Sequence, residues 1–319
     1  MAQKGMRVPR EYVEKGRIPL WVRLKAWWEG YDIQIPEHAR KKKKKKSQAV
    51  EATEKKKSPL QQERVVLLQE VWGKGFDRPC NPDYIVDLVA PVGLDSSMSV
   101  LDVGAGLGGS TRTICETFNA WVTGLEPDSM LAAAGHLLSD RAGLVQRAAI
   151  YEETFDQLDV KPRGYDCIFA KEAFFRTSDK ESLFQRLEDG LKPGGYMLFT
   201  DYVLAQDSGE SEALQAWRDN DPELGELWTA QQYVKALQDR KLDVPTTEDI
   251  SAGVTSAVKR AWASYMENAG DDSRGEEMDK IVQQESQLWN RRLRALETGD
   301  LRVVRFQAVK KEEGRMLAG

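Results

Sequence analysis

The stretch VLDVGAGLGG, residues 100–109, holds the densest set of residues whose types and spacing could do chemistry. A short apolar run contains one acid, Asp102, and then opens into Gly104, Ala105, Gly106, Gly108 and Gly109. Glycines let backbone N–H groups come close to a ligand, and a helix starting near Gly108 turns its positive end toward it. The chemistry this suits is the holding of a nucleotide-like group. A turn that held no ligand would seldom use four glycines in six residues. A carboxylate inside an apolar strand is a poor choice for core packing, which sets Asp102 apart. A second acid, Glu126, ends the next apolar run 22 residues beyond Gly104, where it can accept both hydroxyl protons of a ribose.

Two cofactors fit these residues. Gly104, Gly106 and Gly109 match the G-x-G-x-x-G spacing of dinucleotide folds, whereas Gly104, Gly106 and Gly108 match the G-x-G-x-G spacing of S-adenosylmethionine enzymes. Glu126 serves both. Asp102 inclines the reading to S-adenosylmethionine, because a carboxylate beside the loop can hold a cationic amino-acid end through a water or a backbone amide. A nicotinamide-dependent oxidoreductase stays open as a rival.

Strand–helix alternation must position these residues. MSVLDVG (98–104) reads as the first strand, with a helix from about Gly108. AWVTGLE (120–126) reads as the second, and Asp128 is placed to cap the helix after it. GLVQRAA, YDCIFA (165–170) and YMLFTDY (196–202) read as the third, fourth and fifth strands, with LKPGG (191–195) turning out of the helix before the fifth. A sixth near 242–247 and a seventh at 301–309 follow, separated by about 50 helical residues. Helices at about 60–72 and 82–90 precede the first strand. Near-continuous apolar strands alternating with helices predict a doubly wound α/β sheet.

The charge is unevenly placed. Residues 1–60 carry 17 Lys/Arg against 7 Asp/Glu, and the rest 29 against 44, so a basic arm precedes an acidic body. Within the arm Leu20, Trp21, Leu24, Trp27 and Trp28 fall at helical spacing, and the Lys-rich run 41–57 reads as a solvated linker. The expected division is therefore an arm over 1–58 and a globular domain over 59–319. The arm could dock on the body, bind a partner, or make peripheral membrane contact through residues 17–57. Nucleic acid is the weaker reading, since the body is acidic and offers no stacking platform. Three scattered cysteines and two histidines predict no disulfide framework and no metal site. With no signal-peptide core and no 18-residue apolar run, a reducing, cytoplasmic setting is expected, with the inner face of a membrane as the variant reading.

The motifs LDVGAGLGGSTR, VTGLEPD, YDCIFAKEAFFRTSDK and LKPGGYMLFTDYV together resemble the class I S-adenosylmethionine-dependent methyltransferases, over roughly residues 64–310. Within them the chain is most similar to the phosphoethanolamine and glycine/sarcosine N-methyltransferase group, through VWGKGFDRPCNPDY, LWTAQQYVKALQDRKLDV and DLRVVRFQAVKK. The resemblance implies a Rossmann-like, seven-stranded, mostly parallel sheet with an antiparallel last strand. A helical lid would come from the helix before the first strand and from residues 205–240. It implies that Gly104, Gly106 and Gly108 line the methionine end of the cofactor, with Asp102 and Ala105 completing the cofactor-binding set. Glu126 would hold the ribose, Pro127 would lie near the adenine, and Lys171 would flank the cofactor.

The departures bear on the acceptor. Where phosphobase enzymes set a tyrosine and a histidine that help deprotonate the amine, Leu68 and Arg176 stand here. Where they set a basic residue against the phosphate, Glu223 stands. The acid expected after the third strand falls on Ala148 or Ala149, leaving backbone or Glu152 for the adenine amino group. Methyl transfer is an in-line displacement that needs alignment and exclusion of water, with a base when the acceptor is protonated. Glu172, Arg176, Asp201 and Tyr202 are the catalytic candidates, Arg176 as an anion anchor because its guanidinium stays protonated. The expected activity is N-methylation of a small amine or amine-bearing head group. A protein that keeps the pocket but has lost catalysis is the rival that Leu68 and Arg176 raise. Oligomeric state is not readable.

Overall fold

The computed structural model describes Val22, Ala26 and residues 58–205, 211–269 and 274–312. The strands β1 (Ser99–Val103), β2 (Trp121–Glu126), β3 (Ala148–Glu152), β4 (Tyr165–Lys171), β5 (Leu191–Leu204), β6 (Leu242–Asp249) and β7 (Leu301–Lys310) form one sheet in the order β3-β2-β1-β4-β5-β7-β6. β1 runs parallel to β2 and β4, and β7 lies antiparallel between β5 and β6. The reversed last strand follows from its connection: β6 leads into α8 (Ser251–Asn268) and α9 (Glu276–Thr298), a helix pair that returns the chain to the end of the sheet where β6 finished, so Val304 of β7 pairs with Asp249 of β6.

Successive residues of the central strands bury on opposite faces. Val100, Val122, Cys167, Phe169 and Leu198 pack beneath α2 (Pro82–Val89) and α3 (Gly109–Phe118). Leu101, Val103, Ile168, Ala170, Met197 and Phe199 pack beneath α5 (Lys180–Gly190) and α7 (Ala230–Asp239). In chain order α4 (Ser129–Arg141), whose first turn is capped by Asp128 accepting from the N–H groups of Met130 and Leu131, follows β2, and α6 (Glu212–Arg218) follows β5. A further core gathers α1 (Glu63–Trp72), α6, α8 and α9 into a helical cap that also takes in Phe175 and Tyr202. Its centre is aromatic: the Trp72 ring lies 4.6 Å from Trp289 and 6.2 Å from Trp262.

Three expectations shift. The third strand is Ala148–Glu152 and not GLVQRAA, because Gly143 (φ 71°) and the Leu144 N–H close the end of α4 and Arg147 bonds back to Leu144. LKPGG joins β5, with an irregular register between its pairings to Tyr165 and Cys167 and a left-handed Gly194 (φ 77°). The lid does not run through residue 240: α7 packs on the sheet, where Tyr233 meets Phe184, Phe199 and Phe306, while α8 and α9 supply most of the cap.

Of the arm, Val22 and Ala26 are described; both are helical and buried, four residues apart on one helical face. Leu20, Trp21, Leu24, Trp27, Trp28 and the Lys-rich run lie outside the described residues. Among the described residues no helix is long and apolar enough to cross a membrane.

Candidate cofactor site

The glycine loop turns between β1 and α3 with Gly104, Gly106 and Gly108 at φ 76°, 56° and 77°, left-handed values that disfavour any side chain. Space is equally restrictive. A Cβ at Gly104 would lie 2.6 Å from Ala173, and one at Gly106 would lie 2.0 Å from a carboxylate oxygen of Asp77. Asp102 at the end of β1 accepts from the hydroxyls of Ser110 and Thr111, both at 2.6 Å, and so ties the loop to the first turn of α3. Burial pushes its carboxyl up to about 6 against those two hydroxyl bonds.

Glu126 ends β2 fully buried and faces the loop, as its strand position predicts. It accepts from the Gly106 N–H at 2.9 Å and from the Asp128 N–H at 2.9 Å. Its remaining acceptor sites are taken by Arg176, whose Nη2 lies 3.0 Å from Oε1 and Nη1 3.4 Å from Oε2. Burial alone would lower the Arg176 guanidinium, but Glu126 and Glu223 outweigh it and raise it. Arg176 also stacks over the Phe155 ring.

Ahead of β1, the segment between α1 and α2 lies on the glycine loop. Asp77 accepts from the Leu107 N–H at 3.2 Å. Arg78 pairs with Asp77 at 2.8 Å and donates to the carbonyls of Lys171 and Glu172 at 2.8 and 3.0 Å. Glu172, held at φ 40°, pairs with Lys171 and accepts from the Thr200 hydroxyl at 2.7 Å. Across the space under the cap, Arg292 of α9 pairs with Asp221 at 2.7 Å and with Glu223 at 3.6 Å, and Arg64 of α1 pairs with Asp128 and Glu285. Despite its burial, Glu223 is pulled down to about 2 by Arg176 and Arg292. Leu68, Phe175, Tyr202 and Trp289 complete the wall.

The structure thus brings Glu126, Arg176, Glu172 and the glycine loop together, with Tyr202 on the cavity wall, whereas Lys171, paired with Glu172, lines the neighbouring groove with Pro79 and Cys80. It does not bring Asp201 to the cavity. That side chain points to the opposite face of β5, where it accepts from the Tyr233 hydroxyl at 2.5 Å, because neighbours on a strand alternate. Tyr202 is no base at neutral pH, since burial raises its phenol. Pro127 sits half-buried at the end of β2 beside Glu126. The shift of β3 puts buried core at Ala148 and Ala149 and leaves exposed Glu152 as the acid at its end. Sequence reading missed Asp77, Arg78 and Arg292. The one signal for the last was its place three residues after Trp289, on the face of α9 that also buries Leu293 and Leu296.

A seven-stranded sheet with this order and a reversed last strand, carrying a glycine loop opposite a buried acid, defines the class I methyltransferase fold. Residues 76–246 match the family described as methyltransferase domain, and the chain belongs to that family. It is 27% identical over 169 residues to a sterol 24-C-methyltransferase of Yarrowia lipolytica, covering 52% of this chain and 44% of that one. It is 29% identical over 140 residues to a phosphoethanolamine N-methyltransferase of Arabidopsis thaliana, covering 43% and 28%. The chain therefore spans less than half the length of these curated relatives. Among solved structures, a phosphoethanolamine N-methyltransferase of Haemonchus contortus in complex with S-adenosylmethionine superposes with a TM-score of 0.69 at 17% identity, over 79% of this chain and 58% of that one. S-adenosylmethionine is the cofactor of this class. The residues present fit it: a side-chain-free loop, the Gly106 cradle and a buried carboxylate at the end of β2.

Proposed function

We propose that the chain transfers a methyl group from S-adenosylmethionine to a small amine or an amine-bearing head group bound under the cap. The observation that carries this is the placement of Glu172 on the wall of a capped cavity beside the glycine loop, with Glu126 buried at the loop's far side. The loop backbone and Glu126 would hold the cofactor, with Asp102 fixing the loop and Pro127 and Lys171 flanking. When bound, the cofactor supplies the methyl on a cationic sulfur. Glu172 is the carboxylate placed to take a proton from an ammonium acceptor. Leu68, Phe175, Tyr202 and Trp289 exclude water, which strengthens the field of the surrounding charges. Glu223, where a phosphate-binding cation would be expected, favours an acceptor without a phosphate.

The test is methyl-labelled cofactor offered with ethanolamine, sarcosine, phosphoethanolamine and a sterol. Label in the amines without phosphate is the expected result. Label confined to the sterol would transfer the reading to carbon methylation. A second reading, a cofactor-binding protein without catalysis, is favoured by Leu68 and by the engagement of Arg176 with Glu126. Binding of S-adenosylhomocysteine without label transfer to any acceptor would establish it.

A further inference from the structure

The polar groups that would meet the cofactor are already engaged by side chains of the chain itself. Resting on the cofactor reading above, we infer that residues 73–80 and Arg176 form an internal latch that must open before S-adenosylmethionine can bind. Asp77 and Arg78, adjacent in sequence and ion-paired, present a carboxylate and a cation side by side, as an α-amino acid does. The carboxylate lies on Gly106 and accepts from the Leu107 N–H of the glycine loop. The cation donates to the carbonyls of Lys171 and Glu172 at the end of β4. Arg176, from the turn after β4, takes the Glu126 oxygens that would accept ribose hydroxyls. The cavity between Asp77, Arg78 and Glu172 on one side and the cap on the other is about 30 Å³, enough for about two water molecules and far too small for a nucleoside.

The latch has hinges and somewhere to go. Gly73 (φ 98°) and Gly75 (φ 83°) lie at its start, ahead of Asp77 and Arg78, and nothing lies within 4 Å of where a Cβ on Gly73 would be. Residues 77–80 are a partition. Asp77 and Arg78 face the cavity under the cap, whereas Pro79 and Cys80 line a groove of about 520 Å³ on the other side, walled by Val71, Trp72 and Val254. Moving the segment into that groove frees the loop N–H and the two carbonyls in one step. Arg176 has a second carboxylate within reach: Glu223 lies 3.4 Å from it, on the segment after α6, so releasing Glu126 leaves Arg176 paired. Opening therefore couples the cofactor loop to the cap.

A latch of this kind lowers apparent affinity by the fraction of time the site is open, so loosening it tightens binding. The experiment is calorimetry of S-adenosylhomocysteine with the full chain and with Arg78→Ala, Asp77→Ala and Arg176→Ala. Hydrogen exchange on the unsubstituted protein, with and without the ligand, covers any variant that fails to fold. The expected result is a dissociation constant lowered at least about fivefold in the variants, and faster exchange of amides 73–80 when ligand is bound. Binding by the unsubstituted chain with equal or weaker affinity in folded variants, or added protection of 73–80, overturns the latch and leaves the cofactor reading intact. No binding by the chain or any variant overturns both.

Discussion

Asp201 sits fully buried in β5 with its carboxyl pushed up to about 7 by burial, against the opposing pull of Lys180 and the Tyr233 hydroxyl bond. The folded chain therefore keeps a proton that an unfolded aspartate releases above its usual 3.8. That contribution is full below pH 3.8 and is lost as pH rises through about 7. Asp102 acts in the same direction up to about 6, while Glu223, held near 2, adds stability above its ordinary 4.5 that is lost as pH falls toward 2. Asp201→Asn should flatten the decline in stability between about pH 4 and 7, which for one such group is at most about 1.4 kcal/mol per pH unit. Denaturant melts across that range decide it, and an unchanged slope in the folded variant would assign the titration elsewhere. Glu126→Ala removes acceptors from the Gly106 and Asp128 N–H groups and leaves Arg176 with Glu223 alone. A cost of about 3–5 kcal/mol is expected, read as a lowered denaturation midpoint.

Among the elements, the cap decides what the site can admit. α9 brings Trp289 and Arg292 over the cavity, and the Arg292 guanidinium lies 5.0 Å from the Trp289 ring and 5.4 Å from the Phe175 ring. Trp262 of α8 and Trp72 of α1 close the cap's own core behind it. Trp262→Ala leaves a large cavity there and should cost about 3–5 kcal/mol. Because Trp262 is not among the residues lining the closed cavity, the loss should be read in thermal melts before ligand affinity. An unaltered melting temperature would mean that α8 is not an integral part of the folded unit. Beside the cavity, Gly225 fits against the Thr177 backbone, where a Cβ would lie 2.5 Å from its carbonyl, and its N–H bonds to Phe175 O at 2.9 Å. This contact joins the segment that bears Glu223 to the turn that bears Arg176. Gly225→Ala should therefore perturb the latch as well as stability, seen as altered exchange at residues 174–177.

At the scale of the molecule, residues 58–312 contain cores on both faces of the sheet and a third under the cap. We propose that this is the unit that folds and binds, with residues 1–58 as an added arm. Val22 and Ala26 are 4% and 0% exposed, which is the mark of a helix with a covered face. Deleting residues 1–58 should leave a domain that binds S-adenosylhomocysteine but melts at lower temperature. A truncated chain with unchanged melting temperature, combined with salt-sensitive sedimentation of the full chain on anionic vesicles, would assign the arm to a membrane surface instead.

The first and second strands, the glycine turn and Glu126 were readable because they are local. An apolar run, an acid and closely spaced glycines specify backbone that any neighbour must accommodate. Asp128 as a cap was readable for the same reason. The start of β3 was not, because GLVQRAA is apolar enough for a strand and only the closure of α4 onto Ser139 and Leu138 places the turn there. Which side of β5 carries Asp201 depends on register against β4 and β7, which sequence does not print. The charged lining lay furthest beyond reach. Arg64, Asp77, Arg78, Asp221 and Arg292 are scattered along the chain as ordinary surface types, and only the folding of α1, α6 and α9 over the sheet desolvates them and pairs them with one another and with Arg176 and Glu223, which the sequence did single out. Sequence by itself determined the sheet, the loop and the acid facing it; the tertiary structure decided that the chain's own charges hold that site closed.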